Sequence, residues 1–185
     1  MMGGEMASAF NAAGYVVHET LNNGTAIAIR SIRPDDKTRI VKAFLGLSPE
    51  SIYSRFFYAK TTLSTEEVQR LTEIDYVSAV VLVATLEEQE DETIIALGRY
   101  VASGQSAELA FTVAEDFQRR GIAARLLSHL AHIARSNGIV RFDADFLEEN
   151  TMMLAVFRNS GLTMDMSRSD GVVHAKLFLD TPAIG

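Results

Sequence analysis

The chain has 185 residues, of which 48% are hydrophobic and 22% charged, and it contains no cysteine. This composition is typical of a globular domain, and it excludes disulfides, thiolate metal sites and a cysteine nucleophile. The formal net charge of −7 argues against nucleic acid as a partner and suits a cationic partner such as a lysine side chain.

The N-terminal third predicts a tail, a hairpin and three helices. Residues 1–14 have no periodic pattern and are expected to form a flexible tail, which leaves 15–185 as one domain. Asn-Asn-Gly at 22–24 separates two β-like runs, as in a hairpin. One helix is predicted to begin at Pro34, and two more after the caps Ser48 and Ser64.

The middle of the chain predicts an antiparallel meander of three strands. The β-like runs are 77–86, 93–102 and 107–113, and the acidic insert 87–92 is expected to be a solvated turn. No apolar run is long enough to cross a membrane, and the N-terminus lacks the pattern of an export signal. These features predict a cytoplasmic protein without membrane contact.

Residues 107–147 predict a strand, a loop, a helix and a second strand. Such a segment is typical of a parallel βαβ crossover, in which the loop brings backbone N–H groups to the start of the helix. The loop pattern is Gln118-x-x-Gly121-x-Ala123, and a diphosphate can approach a glycine and a small residue closely. From this pattern alone, a diphosphate site and an ordinary turn are equally supported. A Rossmann site is disfavoured because only one glycine is present.

The C-terminal part predicts a short helix after Asn150 that ends at Gly161, followed by a hairpin of strands 162–168 and 172–179.

Several separated stretches resemble one family of enzymes. They are LSPESIYSRFF at 47–57, IDY at 74–76, AELAFTV at 107–113, QRRGIA at 118–123 and NTMML at 150–154. Over about 27–179 the chain resembles the GNAT superfamily of N-acetyltransferases, and within it the Pat-type bacterial protein lysine acetyltransferases.

This resemblance implies an α+β GNAT fold. Its central mixed, mostly antiparallel sheet would have about seven strands and flanking helices, with a parallel strand pair splayed at the acyl-CoA site. It also implies that a loop backbone grips the CoA diphosphate, that the edge of strand 107–113 pairs with the pantetheine amides, and that Asn150 binds the pantetheine arm. The implied residues are Phe111, Thr112, Val113, Gln118, Arg119, Arg120, Gly121, Ile122, Ala123, Ala124 and Asn150. Asn150 is also suited to be a helix N-cap.

Glu108 is the candidate for proton transfer. It interrupts an apolar strand, and an amine acceptor must lose a proton because a free lysine has a pKa near 10.4. Without the resemblance, a solvent-facing glutamate near a strand end is the better interpretation; with it, Glu108 matches the base proposed for Pat-type enzymes. Strand alternation groups Glu108 with Ala110 and Thr112, unless a bulge shifts the strand.

One expected group is missing. Many GNAT enzymes have a tyrosine four residues before the glycine that ends the last core helix, and it protonates the leaving thiolate. Phe157 occupies that position before Gly161, which leaves this proton to water or another group. The four tyrosines Tyr53, Tyr58, Tyr76 and Tyr100 cannot be ranked as substitutes from sequence.

Seven other side chains are further candidates for the site. His129 and His132 are expected on a solvated helix face without a carboxylate partner, so no metal site is predicted. Asp143 and Asp145 fit the amine side of a cleft and an exposed strand edge equally well. The resemblance places Arg55, Phe56 and Phe57 at the acceptor wall of the superfamily; core packing is preferred for Phe56 or Phe57, and Arg55 has no assigned role.

The sequence therefore predicts an acetyl-CoA-dependent N-acetyltransferase without a metal. The first choice of acceptor is a protein lysine, for example on an acyl-CoA synthetase. The alternatives are a small amine or amino-acid acceptor, or a noncatalytic acyl-CoA sensor. A homodimer is compatible with the sequence but not predicted by it.

Overall fold

The computed structural model describes residues 8–88 and 91–179. In these two ranges, eight strands form one open sheet and five helices flank it. The strands are β1 (Val16–Thr20), β2 (Ala26–Ser31), β3 (Ala79–Glu88), β4 (Asp91–Ser103), β5 (Ser106–Val113), β6 (Arg141–Leu147), β7 (Thr163–Ser169) and β8 (Val172–Phe178). The helices are α1 (Lys37–Leu45), α2 (Pro49–Phe56), α3 (Thr65–Thr72), α4 (Ile122–Ser136) and α5 (Thr151–Arg158).

The sheet order is β1-β2-β3-β4-β5-β6-β8-β7. Strands β5 and β6 pair in parallel, and every other neighbouring pair within the described ranges is antiparallel. The predicted crossover through α4 is therefore confirmed, as is the mixed, mostly antiparallel sheet. The described sheet has one strand more than the seven expected.

The parallel pair separates soon after it begins. Its register covers Ser106 to Glu108 on β5 and ends with Glu108 opposite Asp143, although β5 continues to Val113 and β6 to Leu147. Beyond Glu108, one edge of β5 thus faces an opening between the two strands.

The two faces of the sheet carry different helices. Helix α4 packs against β3, β4 and β5 over the larger core, which contains Leu109, Phe111 and Leu126. Helix α1 covers β4 on the other face, over a smaller core that includes Ile40 and Val83. Helix α2 contacts β5 and β6 near the point where they separate.

The turn between β3 and β4 is shorter than predicted. Pairing continues through Glu87 opposite Glu92 and Glu88 opposite Asp91, so most of the insert predicted as a solvated turn is strand; Gln89 and Glu90 lie outside the described residues. Glu92 is stabilised there because it accepts a hydrogen bond of 2.9 Å from Nε of the buried Arg30. Cross-strand pairing and this charge partner outweigh the polar composition that predicted a turn.

Part of the predicted N-terminal tail contacts the sheet and α4. Ala12 is fully buried and its N–H donates to the Tyr76 carbonyl at 3.0 Å, while Phe10 exchanges hydrogen bonds with the Asn137 side chain. Residues 1–7 lie outside the described residues, and the domain boundary at residue 14 stays a prediction. None of the helices in the described ranges combines the length and apolar character needed to cross a bilayer.

Candidate active site

Strand β5 presents two different rows of side chains. Ala107, Leu109 and Phe111 are buried in the core under α4, whereas Glu108 and Thr112 line a cavity on the opposite face. The register with β4 runs without a shift from Ser106 to Val113, so the bulge that would change the facing is absent from β5. A shift occurs instead between β3 and β4, where Ile95 is the extra residue.

Glu108 lies where the parallel pair ends, and its side chain is exposed. The cavity beside it has a volume of about 360 Å³ and is walled by α1, α2, α3 and the β4–β5 face. Its apolar lining includes Phe44, Phe56 and Leu71. A carboxylate at the rim of a partly apolar cavity, next to a strand opening, is a suitable place to accept a proton from a bound amine.

Three arginines line the same cavity, Arg55, Arg70 and Arg99, and two of them lie close to Glu108. Arg55 comes from α2. Arg99 comes from β4, where it lies opposite Ala110 and is therefore the diagonal neighbour of Glu108 on the same face of the sheet. The pKa of Arg55 falls to about 10, chiefly because burial disfavours its charge and also because Arg99 repels it, while Glu108 acts in the opposite direction. The three charges therefore influence one another across the cavity.

The free edge of β5 carries backbone groups at every second residue. The Gln105 carbonyl bonds to Val140 on the β6 side, whereas the Ala114 N–H bonds to Ile95 on the β4 side. Because backbone polar groups alternate along a strand, those of odd-numbered residues face the opening between β5 and β6. Leu109, Phe111 and the Val113 N–H are thus positioned to pair with an extended amide-containing ligand.

The loop before α4 is shaped by two left-handed residues. Gly121 has φ of 80° and Arg119 has φ of 60°, a backbone conformation that costs a non-glycine residue about 1–2 kcal/mol. The N–H groups of Ile122, Ala123 and Ala124 bond to no described residue, since the first such bond in the helix runs from Arg125 to Gly121. Free amides at the start of a fifteen-residue helix form an anion-binding site.

Side chains fix this loop to the neighbouring elements. The Gln118 amide donates to the Val113 carbonyl at 3.1 Å and to the Ser51 hydroxyl at 3.4 Å. Glu115 accepts a hydrogen bond of 2.8 Å from the Ser48 N–H. Burial would raise the pKa of Glu115, but the hydrogen bonds from Ser48 and Ser51 lower it below its ordinary value. The loop is therefore attached both to the end of β5 and to the start of α2.

The arginines of the loop point to different neighbours. Arg119 Nε lies 3.2 Å from the Met152 sulfur on α5, and Arg120 lies over the Phe117 ring at 5.1 Å. Both side chains are exposed and leave positive charge near the start of α4. Asn150 caps α5 by accepting from the Met153 N–H at 3.1 Å, which accounts for its oxygen and leaves its NH₂ group for a ligand.

Phe157 is buried beneath the opening. It packs against Phe146 and Phe111, with ring centroids 5.6 Å and 6.4 Å apart. This aromatic cluster supports β5 and β6 from the core side at the place where they separate. Phe56 packs against Phe44 at 6.0 Å but is only partly buried and lines the cavity, and Phe57 is exposed, so the core role preferred for one of this pair was wrong.

The expectation for His129 was wrong. It is partly buried and hydrogen-bonds to Glu19 at 2.6 Å and to Tyr15 at 2.5 Å, because β1 lies alongside this face of α4. A local pattern on one helix cannot reveal a carboxylate that comes from a distant strand. His132 is exposed, as expected. Within the described ranges, no three histidine or acidic side chains are grouped to hold a metal ion.

The two aspartates of β6 have different surroundings. Asp143 lies opposite Glu108 in the register and forms two hydrogen bonds with Arg141, at 2.9 and 3.0 Å. Asp145 is exposed and pairs with His174 on β8 at 2.7 Å. Asp143 is therefore next to the cavity rim, whereas Asp145 fits an exposed strand position.

Sequence reasoning missed Arg99 as a site residue. Arg99 interrupts the otherwise apolar part of β4 in the same way that Glu108 interrupts β5, so the signal used for one residue was available for the other. Ser51 and Glu115 were also missed. Their roles depend on contacts between residues about 65 positions apart, which local patterns do not record.

Comparisons with known proteins agree with this geometry. A family model described as "Acetyltransferase (GNAT) family" matches residues 47–162. An acetyltransferase of Pseudomonas aeruginosa is 32% identical over 122 residues, which cover 65% of this chain and 66% of that protein. Acetyltransferase Pat of Mycolicibacterium smegmatis is 31% identical over 144 residues, which cover 76% of this chain but only 42% of Pat.

A solved structure covers more of the fold. The crystal structure of the GNAT domain of S. lividans PAT is similar with a TM-score of 0.79 and 36% identity, over 88% of this chain and 96% of that one. The chain thus spans nearly all of that isolated domain, but less than half of the mycobacterial Pat and about two thirds of the Pseudomonas protein. The family match, the fold and the helix-start loop lead to one conclusion: the chain belongs to the GNAT acetyltransferase family.

Proposed function

We propose that this protein transfers the acetyl group of acetyl-CoA directly to the side-chain amine of a lysine in a protein, with Glu108 as the base. The observation that carries the proposal is the position of Glu108. This carboxylate is at the last paired residue before β5 and β6 separate, and it faces the cavity. An acetyl group held in the opening and an amine in the cavity would meet beside it.

The CoA contacts follow from the free backbone groups. The diphosphate would bind the N–H groups at the start of α4, in the loop Gln118 to Ala124, where Arg119 and Arg120 add positive charge. The pantetheine amides would pair with the free edge of β5 at Phe111 and Val113 but not at Thr112, whose backbone faces β4, and the Asn150 NH₂ would reach the same arm. All of these groups border the opening between β5 and β6.

In the reaction, the lysine nitrogen attacks the carbonyl carbon of the thioester and the C–S bond breaks. A backbone N–H on the free edge of β5 donates to the carbonyl oxygen as negative charge develops there. Glu108 accepts the proton from nitrogen directly or through water, and solvent protonates the CoA thiolate. Attack by a neutral amine that is already held beside the carbonyl avoids a covalent enzyme intermediate.

Similarity to Pat supports a protein lysine as the acceptor. The test is acetyl transfer from labelled acetyl-CoA to a panel of acyl-CoA synthetases and of free amines, with mass spectrometry to locate the acetyl group. Glu108→Gln should lower kcat by about 100-fold or more while acetyl-CoA binding is retained, because general bases contribute about 10²–10⁴-fold.

The matched control is Glu66→Gln, since Glu66 is an exposed glutamate on α3 outside the cavity. Wild type that acetylates only free amines would identify a small-amine acetyltransferase. Wild type that binds acetyl-CoA and acetylates nothing in the panel would favour an acyl-CoA sensor. Full activity of Glu108→Gln would exclude Glu108 as the base.

A further inference from the structure

Three arginines and two glutamates line the cavity, and one of the glutamates, Glu67, is paired with Lys60 at 2.7 Å. Arg55, Arg99 and Arg70 all line it, and within the described residues none of the three forms an ion pair. Arg55 rests over the Phe56 ring at 5.1 Å. Three arginines without ion pairs in one cavity are unexpected in a chain whose formal net charge is −7, so they are a local feature and not part of a general basic surface.

This arrangement is unfavourable without a ligand. Burial removes water from the Arg55 guanidinium and the nearby charge of Arg99 repels it, while the attraction of Glu108 offsets these effects only in part and no ion pair forms. Groups of like charge held together in a cleft are more typical of binding sites than of structural elements. An anion between the two guanidinium groups would offset both costs, and a carboxylate can bond to an arginine through two parallel hydrogen bonds.

The CoA diphosphate is not suited to be this anion. None of the loop residues 118–124 lines the cavity, and the free N–H groups at the start of α4 already provide a phosphate site. Glu108 also lines the cavity, with Asp143 opposite it in the register with β6. The cavity thus offers carboxylates to an amine and guanidinium groups to an anion.

We infer that the cavity selects an acceptor lysine with an acidic side chain next to it in the acceptor sequence, and that Arg55 and Arg99 bind this carboxylate. The inference rests on the proposed transfer to a protein lysine and adds a charge requirement for that substrate. Arg55 and Arg99 are then specificity-determining residues, while the chemistry at Glu108 is unchanged.

The test uses paired peptides that contain one lysine and differ only in a neighbouring glutamate or glutamine. On the wild-type chain, kcat/KM should be about ten-fold or more higher for the glutamate peptides, the ratio expected for one charge-assisted hydrogen bond. Arg55→Gln and Arg99→Gln should each reduce this preference to near unity, mainly through KM for the glutamate peptide. In both variants kcat/KM for the glutamate peptide should fall more than kcat/KM for the glutamine peptide, and the ratio of the two values is the readout.

Two controls separate this role from a structural one. Arg158→Gln removes an exposed arginine at the end of α5 and should keep the full preference. Charge reversal with Arg55→Glu should favour peptides with a neighbouring lysine over those with a glutamate. Thermal unfolding and acetyl-CoA binding, measured for every variant, exclude loss of the fold as the cause.

If the wild-type enzyme acetylates the glutamate and glutamine peptides at equal rates, or does not acetylate the glutamate peptides, the inference is overturned. Transfer to an intact acyl-CoA synthetase would still support the proposed function in that case. Arginine variants that lower both rates equally would show that the guanidinium groups act on the amine and not on a carboxylate. Better use of succinyl-CoA than acetyl-CoA, lost on Arg55→Gln, would assign the carboxylate to the acyl donor. Faster acetylation of free amino acids than of peptides would assign it to a small acceptor.

Discussion

Gly98 provides a test of how the opening beside β5 is supported. It lies on β4 directly opposite Phe111, and a Cβ added there would be 2.9 Å from two ring carbons of Phe111 and 3.1 Å from a methyl group of Leu130. Ordinary carbon contacts are about 3.5–4.0 Å, so the ring must move by about half an ångström or more. Phe111 is 7% exposed and packs against Phe157, and this packing limits the movement.

Gly98→Ala should therefore destabilise the protein. Overpacking costs about 1–3 kcal/mol, and the lower entropy of the unfolded alanine chain offsets about 0.4–1 kcal/mol of this. A net loss of about 1–2 kcal/mol in the free energy of unfolding corresponds to a Tm lower by about 2–8 °C for a chain of this size. The measurement is urea and thermal unfolding of the two proteins side by side.

The matched control is Gly14→Ala, because a Cβ at Gly14 meets nothing within 4 Å and its φ is not positive. That variant should be neutral or slightly more stable. A Tm for Gly98→Ala equal to or above the wild-type value would refute the argument. If the shifted Phe111 also displaces the β5 edge, the KM for acetyl-CoA should rise in Gly98→Ala but not in Gly14→Ala.

Three further changes test other parts of the structure. Asp36→Asn leaves the buried Arg30 only partly paired and should cost about 3–5 kcal/mol in urea unfolding at pH 7. Burial would raise the pKa of Asp36, but hydrogen bonds from Arg30 and the Arg33 backbone lower it below its ordinary value. The ionised carboxylate therefore stabilises the fold above its ordinary pKa, and this stabilisation is lost as pH falls below about 4. The free energy of unfolding of Asp36→Asn should depend less on pH in that range. Gly121→Ala should raise the KM for acetyl-CoA about ten-fold, because an alanine at φ of 80° strains the loop. The control is Gly138→Ala, which is strained in the same way at φ of 73° but lies away from the loop and should leave this KM unchanged. Phe157→Tyr should lower the free energy of unfolding by about 1–3 kcal/mol, because its hydroxyl would enter an aromatic cluster; unchanged stability would show that a polar partner exists.

Local signals in the sequence were sufficient to predict the order of helices and strands. The caps predicted at Ser48 and Ser64 both accept the expected hydrogen bonds, from Ser51 and Glu67. The parallel crossover through α4 was also predicted correctly. These features depend on residues close together in the chain, where side-chain chemistry determines the backbone directly.

Features that depend on distant residues were predicted poorly. The β3–β4 turn was placed too widely because Arg30, about 60 positions earlier, provides the charge partner for Glu92. The His129 surroundings were missed because Glu19 is 110 residues away. In both cases a polar side chain was interpreted as solvated when a remote partner satisfies it. Strand register and helix packing determine these contacts, and neither is written in a local pattern.

The candidate site combines both kinds of information. Strand alternation was enough to predict the facing of Glu108, and the uninterrupted β4–β5 register agrees with it. The cavity itself was not predicted, since its walls come from four separate parts of the chain. The role inferred for Arg55 depends on the nearby Arg99, which comes from a distant strand.

The source of the proton for the CoA thiolate can be narrowed by the positions of the tyrosines. Tyr100 is fully buried beside Phe142 on the α4 side of the sheet, and burial raises its pKa. Burial also raises the pKa of Tyr76, whereas Tyr53 and Tyr58 are exposed. None of the four lines the cavity that contains Glu108.

A thiol resembling that of cysteine has a pKa near 8.5, so its thiolate is a moderately stable leaving group at neutral pH and does not require a dedicated acid. Protonation by solvent at the exposed rim is therefore consistent with a phenylalanine at position 157, and in the proposed reaction the main barrier would be deprotonation of the amine beside Glu108.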